Sequence, residues 1–186
     1  MNVKELFDKY YSRLEKEGYI KALFSGLIVG FIVNFIVAFA FWFSDAEGLW
    51  WSIGAFVVAT AAATPLFFQY KYKPTAKQVA ARIDKLGLEE RMITMNEFID
   101  DESFIALKQR EDAQLKLKQI DSSLIKFVFS RGVIIALCIV ATLGAGMTTV
   151  TGLSDKGIIS SGKEVLEEIF PEEPEIPVTL SYVAEE

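Results

Sequence analysis

Three stretches of this chain, 22–44, 48–70 and 132–154, contain no Asp, Glu, Lys or Arg, and each is 23 residues long. A helix rises about 1.5 Å per residue, so each stretch can cross a hydrocarbon core of roughly 30 Å with some tilt. Burying three such helices in a water-soluble domain would take far more protein than 186 residues provide. The expected fold is therefore an all-α membrane protein with three transmembrane helices and a helical loop between the second and third. The positive mean hydropathy agrees. The first stretch reads as a retained helix rather than a signal peptide. Its apolar run is long, and a charged segment of about twenty residues precedes it.

The basic residues orient these spans. Lys4, Lys9, Arg13, Lys16 and Lys21 precede the first, twelve Lys and Arg lie in 71–131, and only Lys156 and Lys163 follow the third. The loop 45–47 has none. Basic residues near membrane ends stay in the cytoplasm. The expected divisions are a cytoplasmic amphipathic helix (1–19), a transmembrane hairpin (20–70), a cytoplasmic helical loop (71–124), a third span (125–153) and an acidic extracytoplasmic tail (154–186). This places the N-terminus in the cytoplasm and the C-terminus on the far side of the membrane.

In the amphipathic helix, Phe7, Tyr10 and Leu14 share a face. That face can lie on the inner leaflet or pack on the protein's own loop. In the hairpin, Gly26 and Gly30 form a small-xxx-small pair that lets two backbones approach. Packing within the chain is the preferred use, with a homo-oligomer as the other. Asn34 is expected to bond across to Thr60 or Thr64. Ala55, Ala59 and Ala63 form a flat packing stripe, Pro65 is expected to kink the second helix, and Trp42, Trp50 and Trp51 mark its outer interface.

The loop has clear helical punctuation. Thr75 and Gln78 have capping-box spacing, Gly87 fits a left-handed helix end, and 100–103 ("DDES") can cap a third helix. That helix carries the stripe Ala106, Arg110, Ala113, Leu117, Ile120 and Leu124 and runs towards the third span. Asp84 with Arg91, and Arg82 with Glu90, are spaced to pair across the Gly87 break. The loop carries more apolar residues than short helices can bury among themselves, so Met92, Met95 and Phe98 are expected to dock a protein partner. In the tail, 162–170 reads as a helix and 178–183 as a short strand.

Nothing in the sequence is arranged for chemistry. The chain lacks His, and its single Cys138 lies among apolar residues. No Gly-rich phosphate loop or nucleophile motif occurs, no cofactor or metal is expected, and the acidic balance argues against nucleic acid. Glu172, Glu173 and Glu175 read as a solvated acidic segment rather than a Ca²⁺ site.

The loop resembles that of a family of bacterial multi-pass membrane proteins encoded beside MoxR-type AAA+ ATPases and von Willebrand factor A proteins. The matching positions are Arg82, Ile83, Asp84, Leu86, Gly87, Leu88, Glu90, Arg91 and Thr94, then Gln109, Arg110, Glu111, Asp112 and Ala113. The likeness covers roughly residues 4–150, including the order of the spans. Family members continue into a long helical region after the third span, so this chain is expected to be a minimal member or a fragment. The resemblance implies association with an envelope assembly and no particular reaction. The function expected is a non-enzymatic membrane scaffold, with an accessory subunit of a transporter or export complex as the alternative.

Overall fold

The computed structural model describes residues 3–44, 46–88, 90–98, 101–118 and 127–171. Ile120, Leu124, Asp100, the acidic Glu172, Glu173 and Glu175, and the expected strand 178–183 lie outside them. Among the described residues the regular structure is entirely helical: α1 (Val3–Trp42), α2 (Leu49–Phe67), a π-helical turn (Phe68–Tyr72), α3 (Ala76–Asp84), α4 (Arg91–Glu97), α5 (Phe104–Lys118), α6 (Arg131–Asp155) and α7 (Gly162–Ile169). Three helices are long and apolar enough to span a membrane, within Phe7–Trp42, Leu49–Tyr72 and Arg131–Asp155. This suggests a multi-pass membrane protein.

The amphipathic segment and the first span are one helix. α1 has 40 residues and is about 60 Å long, twice a hydrocarbon core. Gly18 does not interrupt it. A Cβ there would run into the Tyr72 carbonyl oxygen, so the missing side chain admits the end of the π-helical turn. Pro65 is accommodated inside α2, three residues before the helix widens into that turn.

The helices pack through their smallest side chains. Gly18, Ala22, Gly26, Gly30, Asn34 and Ala38 recur every four residues along α1, and all are buried. The Gly26–Gly30 pair is thus the middle of a longer row. Thr64 sits on Gly26, and Thr60 and Phe56 sit on Gly30, in antiparallel register. The closest approach of α2 falls on Ser52, Phe56, Thr60 and Thr64, while Ala55, Ala59 and Ala63 flank it half-buried. Asn34 reaches neither Thr60 nor Thr64. Its Nδ2 donates to the Ser52 carbonyl at 3.0 Å, and its Oδ1 accepts from the Thr148 hydroxyl at 2.9 Å, joining all three spans.

α6 runs parallel to α1. Gly144 lies against Phe31, and the Thr151 hydroxyl donates to the Ala38 carbonyl at 2.9 Å. α6 does not continue from α5. Residues 127–130 carry no regular structure, and Ser130, in an extended conformation, starts the helix afresh.

The far end is tied by Asp155. One oxygen of its carboxylate accepts from the Gly48 and Leu49 N–H groups, both at 3.0 Å, and so caps α2 from the end of α6. Trp42 Nε1 donates to the Ser160 carbonyl at 3.2 Å, and α7 begins with a capping box from Ser161 and Glu164. Trp50 and Trp51 stay exposed at this end.

Candidate functional site

α3, α4 and α5 fold against the projecting half of α1. Thr75 and Gln78 form the expected capping box at the start of α3. Val79 and Ile83 of α3, Met92 and Met95 of α4, Ala113 and Leu117 of α5, and Tyr10 of α1 then make one buried cluster with Leu88. The apolar face of the N-terminal helix is therefore spent on the protein's own loop. Tyr11 adds a hydrogen bond to the Pro74 carbonyl at 3.0 Å.

The turn between α3 and α4 depends on three residues of the motif. Gly87 has φ +105°, a region open to glycine and costly for other residues. Glu90, at φ +63°, opens α4 but offers it no side-chain cap. Asp84 supplies the cap from the end of α3. Its two carboxylate oxygens accept from the Met92 and Ile93 N–H groups, each at 2.9 Å. A buried anion at a helix N-terminus meets both the free N–H groups and the positive end of the dipole.

The two arginines of the expected pairs also make longer connections. Arg91 reaches Asp112 of α5, and Arg82 reaches Glu17 of α1 at 3.6 Å. Sequence spacing along one segment proposes only local partners, whereas these come from helices folded over it.

Met92 and Met95 belong to the core rather than to a docking surface. Met92 is 0% and Met95 5% exposed, so both are core residues closed to any partner. Phe98 remains half open at 46%. The accessible apolar surface lies farther on. Phe104 and Leu115 point outward from α5, about three turns apart on one side, with the Lys108–Glu111 ion pair (2.7 Å) between them. Ile105 is exposed next to this face. The signal available in the sequence was the complement of the stripe: if Ala106, Ala113 and Leu117 face inward, Phe104 and Leu115 cannot.

Where the subdomain meets the spans lies Glu17, a residue the sequence did not single out. It is 4% exposed. Oε1 accepts from Lys21 Nζ at 2.6 Å and from the Val128 N–H at 3.3 Å, and Arg82 approaches Oε2. This one carboxylate links α1, α3 and the strand of chain entering α6. The available clue was an acidic residue four positions before a lysine at the edge of an uncharged window. Two cavities of about 320 and 290 Å³ adjoin the junction, sharing Lys21 and Tyr72.

Among the described residues, no three acidic or Cys side chains gather in a way that could hold a metal ion. Comparison with family models, curated proteins and solved structures finds no match to this chain.

Proposed function

We propose that this chain is a non-enzymatic membrane anchor in a bacterial cell membrane, whose helical subdomain holds a protein partner in the cytoplasm. The observation that carries the reading is the outer face of α5. Phe104, Ile105 and Leu115 are exposed at 74%, 70% and 56% on a subdomain that already has a closed core. Apolar residues left outside a satisfied core are a common mark of an interaction surface. Tyr10 and Glu17 fasten this surface to a helix that continues directly into the first span, which suits a rigid mount. The basic residues of 71–131 favour the cytoplasmic side. The loop's resemblance to proteins encoded beside MoxR-type ATPases makes an AAA+ ATPase-linked envelope assembly the preferred partner.

A second reading, an accessory subunit of a transporter or export complex, is favoured by a groove of about 580 Å³ along α1 and α2, bordered by Leu23, Val57, Thr60 and Pro65. A helix from a neighbouring membrane protein would fit there.

Crosslinking and pull-down from native membranes distinguishes the two. Recovery of an ATPase that is lost with Phe104→Ser plus Leu115→Ser, at unchanged thermal stability in detergent, supports the anchor. Recovery of a permease that survives those substitutions supports the second reading. Cysteine labelling at Ser103 from outside intact cells, in a Cys138-free background, would overturn the cytoplasmic assignment.

A further inference from the structure

The junction beside Glu17 has the chemistry of a lipid site. The three spans bring their boundary cations to one level: Lys21 is the last charge before the first uncharged stretch, Lys71 the first after the second, and Arg131 the last before the third. The 320 Å³ cavity opens at this level. One part of its wall is polar, with Lys21, Tyr72 and Ser130; the other is apolar, with Phe24, Phe129 and Val133.

Tyr72 is held in place by a 2.9 Å hydrogen bond between its hydroxyl and that of Ser25. Lys71 lies 5.5 Å over its ring. Ser130 forms no side-chain cap on α6. Among the described residues lining the two cavities, Lys21 and Lys71 outnumber the one carboxylate, Glu17, so the wall favours an anion.

We propose that this crevice binds an anionic phospholipid of the surrounding bilayer. The phosphate sits between Lys21 and Lys71, within reach of Tyr72 and Ser130, and an acyl chain follows Phe24, Phe129 and Val133 into the membrane. Charge complementarity selects an anion, and the apolar wall on the membrane side selects a lipid over a free phosphate. Basic residues at this level favour anionic lipid headgroups. A lipid there would also brace the contact between α1 and the start of α6, beside the Glu17–Val128 bond.

The test uses the full chain purified in a neutral detergent and supplied with phosphatidylglycerol, phosphatidylcholine or inorganic phosphate. Bound lipid is counted by native mass spectrometry. Phosphatidylglycerol should be retained in preference to phosphatidylcholine. Lys71→Gln, at an exposed position, should weaken that retention by about fivefold, the effect of one cation at a membrane surface. Val133→Trp, which fills the apolar wall, should abolish retention while the protein stays monodisperse. Equal retention of both lipids, displacement by inorganic phosphate, or unchanged retention in Lys71→Gln would each overturn the proposal.

Discussion

The three spans and the α3–α5 subdomain are packed in opposite ways. Between the spans the buried residues are small: Gly26, Gly30, Ala38 and Gly144, with Asn34, Ser52 and Thr151 bonded to backbone or to one another. Their large residues, such as Ile36, Val58, Ile135 and Leu143, face outward. In the subdomain large residues such as Ile83, Leu88, Met92 and Leu117 form the core, while Phe104, Ile105 and Leu115 stay outside it. Lipid is as apolar as leucine, so burying leucine between spans gains little, and close backbone contact and hydrogen bonds do the holding. Water rewards burial of large apolar surface, and the subdomain is built on that. Glu17 stands where the two regimes meet.

Substitutions should respond to the regime they touch. The largest effect is expected for Gly26→Leu, whose side chain would meet the Thr64 backbone. Recovery of monodisperse protein in mild detergent should collapse, while Gly54→Leu, which enters open space, should be recovered normally. Similar behaviour of the two would break the claim that α1 and α2 approach through a specific row.

Ile83→Ala comes next. It empties a fully buried position of the subdomain and should cost about 2–5 kcal/mol. Limited proteolysis should cut α3–α5 readily while the spans stay protected. Simultaneous loss of both regions would show that the subdomain is no separate cooperative unit.

A smaller loss, about 1–3 kcal/mol, is expected for Asp84→Ala, which leaves the Met92 and Ile93 N–H groups without their cap. Hydrogen exchange should accelerate first in α4. Uniform acceleration across α3 and α5 would argue against a local capping role. Thr148→Val should be the mildest. It removes one hydrogen bond to Asn34 inside the bundle, and such bonds average about 0.6 kcal/mol. A shift in detergent melting as large as that of Ile83→Ala would mean that polar contacts dominate the bundle.

Much of this architecture could be read along the chain. A span is a matter of length and absent charge, and both are local. The same holds for the Thr75 capping box and for the positive φ of Gly87, because each involves residues within one turn. The small-xxx-small pair was legible too, although its extension from Gly18 to Ala38 was not, since Asn34 and the large residues between obscure a row set by four-residue spacing.

What the sequence by itself determined is therefore the number of spans, the helical loop between the second and third, and the punctuation of its first helices. Only the tertiary structure decided who meets whom: Asn34 with Ser52 and Thr148, Asp84 with the start of α4, Asp155 with the start of α2, and Glu17 with Lys21, Arg82 and Val128. It also moved Met92 and Met95 from a proposed surface into the core and left Phe104 and Leu115 outside. Periodicity tells which side of a helix is apolar. It does not tell whether that side is covered by the chain itself, because the cover here comes from Tyr10, more than eighty residues away from Met92 in sequence.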